Sequence, residues 1–193
     1  TLEVKQAEEQ GISPYELINK TIAQSVPGAN GILFLPYLLG ERTPRWNPNA
    51  KGAFIGLNVS HTRADVLRAV MEGITYNLEI ILSIFRQHVD IDTITVIGGG
   101  AKGEIWRQMM ADIYNAKILK PNYLEEATSM GAAIIGGVGV GVFQDFNVVD
   151  RFIKIESEQM PNEQNRQQYL KMMPIFDDCY YALENIYEKL AKI

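Results

Sequence analysis

One cysteine, two histidines and no concentrated run of basic residues are what this 193-residue sequence has least of. Cys179, being alone, excludes an internal disulfide and suits a reducing, cytoplasmic compartment. Two histidines beside one cysteine leave too few ligands for a zinc site, so no metal-ligand set is predicted within the chain. The net charge is -5, and Lys and Arg are scattered along the sequence, which argues against a nucleic-acid footprint. The uncharged stretch from Thr128 to Gln144 is too short and too rich in glycine to span a bilayer, so no membrane partner is expected. No charged leader followed by an apolar core opens the chain, and there is no internal repeat.

What is present centres on Thr93 to Asn115. Ile94, Thr95, Val96 and Ile97 predict a short buried strand, and Gly98, Gly99 and Gly100 follow at once. From Lys102 the period becomes helical, with Ile105, Met109 and Ile113 on one side. A strand, a bare glycine turn and a helix start together make a place for a nucleotide, because unpaired N–H groups point out of the helix. Gly98, Gly100 and Gly103 also spell the dinucleotide fingerprint. That fold needs an acid about 20 residues on. Lys117 to Pro121 occupies that place, with no acid before Glu125. An NAD-linked oxidoreductase therefore stays as a rival reading.

Upstream, Ser13, Pro14 and Glu16 predict a capped helix to about Gln24, and Gly31 to Leu35 a buried strand. The loop from Pro36 to Gly52 is long and patterned, as functional loops are. In it an ion pair between Glu41 and Arg42 is weighed against ligand contact, and Trp46 is read as a buried anchor. Ala53 to Leu57 predicts a strand. Thr62 to Asp65 caps a long helix whose apolar stripe is Val66, Ala69, Val70, Ile74, Leu78, Ile81, Leu82 and Phe85. His61, just outside that helix, reads as a solvated or capping residue, and Glu72 as the partner of Arg68 one turn back. Downstream, Lys117 to Lys120 predicts a second strand. Met130 to Phe143 predicts a helix with a smooth face of Gly131, Ala132, Ala133, Gly136 and Gly137 packed closely on a neighbour. Beyond Pro161 a long helical region carries core aromatics, with a kink or break at Pro174. This helix is a candidate homodimer contact.

Three segments carry a resemblance. Lys51 to Leu57, followed by Asp65 to Glu72, resembles the second signature of the FGGY carbohydrate kinases along its whole length. The turn from Gly98 to Trp106 is similar to that family's adenosine loop, and Glu126 to Ala133 to the segment after it. Leu38 to Pro44 most resembles the xylulokinase branch, with gluconokinases next. The resemblance implies an α/β fold of the ribonuclease H-like, actin-like ATPase class, with residues 1–193 as an incomplete C-terminal ATP-binding domain lacking its first strands. It implies ATP and Mg2+ as cofactors, and a sugar substrate held by an N-terminal domain. Gly56 and Ser60 would lie by the nucleotide phosphates, and Gly99, Gly100 and Glu104 by the adenosine. Glu104 and Gly103 stand where relatives often carry Asn and Ser.

The catalytic aspartate of that family lies upstream of Thr1, and none of Asp65, Asp112, Asp145 or Asp150 has a claim to replace it. The chain opens on a polar, helix-prone stretch without an initiator methionine, and is expected to be a fragment of a D-xylulose kinase, inactive by itself. A non-enzymatic ATP-binding module of the same fold is the third reading, since fold does not fix function.

Overall fold

A computed structural model describes residues 2–193, with strands and helices mixed along the chain. Helix α1 (Leu2–Gln10) leads into α2 (Pro14–Ile22), capped by Ser13, whose hydroxyl accepts from the Glu16 N–H at 3.1 Å. Glu16 turns its carboxylate to Lys20 instead of closing a box. A short 3-10 turn at Ala29–Gly31 precedes β1 (Leu33–Leu35), which pairs antiparallel with β2 (Ala53–Ile55). Then come α3 (Arg63–Phe85), β3 (Thr93–Thr95), α4 (Glu104–Tyr114) and β4 (Lys117–Pro121). Helix α5 (Ala127–Gly139), β5 (Ile155–Gln159) and α6 (Glu163–Leu190) complete the order. Strand β4 is central in the second sheet, parallel to β3 and antiparallel to β5. Among the described residues no ladder joins the two sheets.

Strand β1 is buried on both faces, as its unbroken apolar run requires. Leu33 and Leu35 enter the main core with Tyr76, Met109, Ile118, Tyr169 and Phe176. Phe34, on the opposite face, joins a smaller cluster with Ala29, Ile32 and Ala69, and its ring lies 4.6 Å from that of Phe54.

Helix α3 departs from the predicted stripe. Its buried residues are Ala64, Asp65, Arg68, Ala69, Glu72, Gly73, Thr75 and Tyr76, whereas Leu78 and Phe85 are exposed. The buried face is rotated toward polar residues because they answer one another. Glu72 Oε1 accepts from Arg68 Nε at 2.7 Å, from the Tyr169 hydroxyl at 2.9 Å and from the Gly28 N–H at 3.0 Å. Arg68 donates its remaining nitrogens to the Ser25 carbonyl and the Tyr169 hydroxyl, each at 2.9 Å. Burial pushes the Glu72 carboxyl up, and Arg68 pulls it back. The Arg68 partnership read from the sequence is the one found.

Helix α6 runs unbroken through Pro174, so of the kink or break expected there the break is absent. Its aromatics Tyr169, Phe176, Tyr180 and Tyr187 are core residues, as expected. The smooth face of α5 is closely packed at Gly137, where a Cβ would stand 2.4 Å from the Phe143 ring, but is otherwise open. A Cβ at Gly131 or Gly136 would meet nothing within 4 Å, and α5 touches chiefly the 3-10 turn Phe146–Arg151. No helix among the described residues is long and apolar enough to cross a membrane.

Where α3, α4 and α6 meet, Glu79 is held against Arg86 and near Arg166, and burial pushes its carboxyl up to about 7 from the ordinary 4.5. The folded chain therefore keeps a proton that the unfolded chain releases, and stability falls as pH rises from about 4.5 to about 7. Glu79→Gln is expected to flatten that slope and to gain about 1 kcal/mol at alkaline pH, after discounting for solvent screening. Urea titrations of both proteins across pH 5 to about 8 check this; an unchanged slope contradicts it.

Candidate functional site

Two clusters of expected site residues lie at the starts of α3 and α4. The first begins at Gly56, directly after β2, with φ +88. A Cβ there would stand 2.6 Å from the Gly31 carbonyl oxygen, so both the turn and the close approach demand glycine. Asn58 then folds the chain. Its side-chain oxygen accepts from the Ser60 N–H at 2.9 Å and from the Ser60 hydroxyl at 2.6 Å, leaving Ser60 exposed at the tip. His61 is neither free nor a cap. Its Nδ1 accepts from the Asn58 N–H at 2.9 Å, which makes Nε2 the protonated nitrogen, and Nε2 meets the Asn30 carbonyl at 3.1 Å. The ring thus straps this turn to the loop before β1. Thr62 and Asp65 form a reciprocal capping box, and Asp65 also accepts from Ser25 and Asn30 at 2.6 and 2.8 Å. These hydrogen bonds, Ser25 foremost, hold the Asp65 carboxyl well below the usual carboxylate range.

The second cluster is the glycine turn. Gly98 has φ +76, and its N–H donates to the Leu124 carbonyl at 2.8 Å. The chain then makes a 3-10 turn, Gly99–Lys102, before α4. Side-chain positions at Gly98 and Gly99 face open space within 4 Å. Gly100 differs, because a Cβ there would lie 2.9 Å from the Trp106 ring, so its bareness serves packing. Gly103, at the head of α4, would press on the Asn19 amide. Glu104 is exposed in the first turn of α4, and no side chain caps that helix.

Arg107, which pattern reading did not single out, holds the turn together with Trp106 and Lys102. Arg107, buried, donates to the carbonyls of Ala101 and Lys102 and, through Nε, to Gln159 at 2.8 Å. Its guanidinium holds the turn's carbonyls, and the first N–H groups of α4 have no partner within the helix and no side-chain cap. Trp106 Nε1 donates to Thr75 Oγ1 at 3.0 Å and fixes α4 against the middle of α3. Lys102 pairs with Glu125 across the turn, and this bond holds the Glu125 carboxyl below its ordinary range. An arginine inside an otherwise apolar helix face was the one available signal for Arg107.

The two clusters are not side by side. Thr75 lies a little over three turns along α3 from Arg63, about 18 Å at the rise of an α-helix. A ligand touching both would have to be elongated. The acidic residues set aside earlier have structural partners in three cases. Asp65 caps α3, Asp112 accepts from Asn162 and Asn165 at the head of α6, and Asp145 accepts from the Asn147 N–H.

The loop Pro36 to Gly52 corrects two expectations. Glu41 is buried, and its carboxylate accepts the backbone N–H groups of Thr43, Arg45 and Trp46 at 2.8, 2.8 and 3.0 Å, while Arg42 is exposed. Three aligned backbone donors serve a carboxylate better than one mobile side chain. Arg45 is the arginine that anchors the loop, ion-paired to Asp177 and stacked 4.1 Å over the Tyr180 ring. Trp46 is not buried: it is 75 % exposed, in a backbone conformation with φ +51.

Residues 2–140 match the FGGY family of carbohydrate kinases, C-terminal domain. The gluconokinase of Bacillus licheniformis is 38% identical over 191 residues, which is 98% of this chain and 37% of that protein. The xylulose kinase of Staphylococcus epidermidis RP62A is 41% identical over 182 residues, 93% of this chain and 36% of that protein. The chain thus spans little more than a third of these relatives. The crystal structure of a ligand-bound xylulose kinase from Lactobacillus acidophilus superposes with a TM-score of 0.82 at 28% identity, covering 98% of this chain and 39% of that one. The gluconate kinase of the same organism gives 0.81 at 30% identity, over 92% and 36%. The fold is that of the actin-like, ribonuclease H-like domain of these kinases. The fingerprint Gly98, Gly100, Gly103 accordingly does not mark a dinucleotide enzyme, and the chain belongs to the FGGY family of carbohydrate kinases.

Proposed function

We propose that residues 1–193 are the C-terminal, ATP-binding domain of a cytoplasmic sugar kinase, acting with an N-terminal domain that carries the sugar and the catalytic aspartate. The observation that carries this reading is the open glycine turn. Gly98 and Gly99 leave room for a ligand, and Arg107 holds the carbonyls away from it. The uncapped head of α4 then presents donors to the adenosine end, beside Gly99, Gly100 and Glu104. The turn at Gly56 and Ser60, about 18 Å along α3, suits the phosphate end of an extended nucleotide. ATP supplies the phosphoryl group when bound. Among the described residues no three His, Cys, Asp or Glu side chains gather to hold a metal ion, so Mg2+ would arrive on the phosphates. The acceptor is proposed to be D-xylulose, from the likeness of Leu38 to Pro44 and the similarity to xylulose kinases. Gluconate is the second reading, supported by comparable similarity to gluconokinases.

Gly99 offers the test. Its φ lies outside the left-handed region and a Cβ there would meet nothing within 4 Å. Gly99→Leu is expected to leave the melting temperature unchanged and to weaken binding of a fluorescent ADP analogue about tenfold. Equal binding by both proteins, or binding of NADH in preference to ADP, overturns the reading. The isolated 193 residues are expected to phosphorylate neither D-xylulose nor gluconate, because positioning and charge stabilisation need the catalytic carboxylate as well.

A further inference from the structure

A cavity of about 410 Å³ opens at the far end of α4 from the glycine turn, between the second half of α3, the Tyr114–Asn115 end of α4 and one face of α6. Its size falls in the range of small-metabolite sites. Among the described residues, two side-chain groups of its wall lack hydrogen-bond partners and one carbonyl lacks its regular helical donor. Glu79 Oε2 is buried and accepts no hydrogen bond, although Oε1 is held by Arg86. Pro174 has no N–H, so the Leu170 carbonyl one turn earlier lacks its regular helical donor, and both residues line the cavity. Arg166, half-buried on the same face, is close enough to act on Glu79 electrostatically, yet its guanidinium makes no hydrogen bond. The other charges are committed. Arg86 also donates to the Ile91 carbonyl, and Asp177 at the rim is paired with Arg45.

One buried oxygen without a partner, one carbonyl without its regular helical donor and one guanidinium without a hydrogen bond describe the complementary molecule. We propose that this cavity binds a small hydroxylated anion, a polyol bearing a phosphate or a carboxylate, with the anionic group on Arg166 and hydroxyls donating to Glu79 Oε2 and the Leu170 carbonyl. A guanidinium and, above about pH 7 where Glu79 has given up its proton, a buried carboxylate oxygen together select such a ligand over a bare ion or a neutral polyol. The site is separate from the proposed nucleotide turn, at the opposite end of α4, about 15 Å away. It does not rest on the kinase reading.

Calorimetric titration of the 193-residue chain with sorbitol 6-phosphate and with gluconate distinguishes the two anion types; inorganic phosphate and sorbitol serve as part-ligands. At least one charged polyol is expected to bind saturably, about tenfold tighter than either part-ligand. Arg166→Leu is expected to weaken that binding at least tenfold, Arg166→Lys to restore part of it, and Gly99→Leu to leave it unchanged. Amide shifts should fall at Ile113 to Asn115 and Leu170 to Asp177. Absence of saturable binding by both charged polyols overturns the proposal. So do binding indifferent to Arg166→Leu, and shifts confined to Gly98 to Glu104.

Discussion

Replacing Arg68 by methionine is expected to cost about 3–5 kcal/mol of folding stability. Glu72 is 1 % exposed and lies on α3 with Oε2 already unpartnered, so removal of the guanidinium leaves a carboxylate with no counter-charge and only the Gly28 N–H and the Tyr169 hydroxyl to solvate it. A shift of that size lowers the melting temperature by about 10 °C in a chain of this length. The loss has a pH signature. Without Arg68 the folded-state pKa of Glu72 rises further above its unfolded value, so the variant keeps most of its stability in acid and loses it as pH rises. The double variant Arg68→Met, Glu72→Leu is expected to recover part of the loss, since two apolar side chains replace the pair but the Ser25 carbonyl and Gly28 N–H stay unanswered. Denaturant titrations of the three proteins at pH 5 and pH 8 check this. If the single variant unfolds at the same urea concentration as the parent, the network contributes nothing.

The second large effect reverses a helix-propensity expectation. Gly73 lies inside α3, where alanine is ordinarily better by about 1 kcal/mol. A Cβ at 73, however, would stand 2.0 Å from the Phe34 carbonyl oxygen, a backbone atom of β1 that cannot swing away. Gly73→Ala is therefore expected to destabilise by about 3 kcal/mol, by forcing α3 off the strand. Gly136→Ala in α5, where nothing lies within 4 Å, is expected to stabilise by about 0.5–1 kcal/mol. Opposite signs for the same substitution in two helices is the result to look for, and equal signs would remove the close approach as its cause.

What could be read from the sequence was what is local. The Thr62–Asp65 cap, the glycine turn and the apolar run of β1 are decided within a few residues, and the structure has all three. The face of α3 was not legible, because a buried surface built from Arg68, Glu72 and Thr75 cancels the apolar period that pattern reading follows. Strand β5 was missed for a related reason. Its residues Ile155 to Gln159 are mostly exposed and polar, and only the ladder to β4 makes them a strand. Glu41 and Trp46 misled through side-chain type alone: the carboxylate found backbone donors where a cation was expected, and the indole stayed outside. Arg107 shows the limit at the site itself. Its role depends on carbonyls five and six residues back being turned toward it, which is a property of the folded turn.

The split between β1–β2 and β3–β4–β5 has a mechanical consequence. With no backbone ladder across the gap among the described residues, the halves are coupled by side chains, among them Leu33 and Leu35 in one core with Ile118, Trp106 on Thr75 and Tyr76 against Phe176. Side-chain contacts slide at lower cost than a hydrogen-bonded ladder shears, so the seam is the soft direction of the domain, and motion there would change the distance between the Ser60 turn and the glycine turn. Amide exchange should accordingly resolve two protection classes, one for each half.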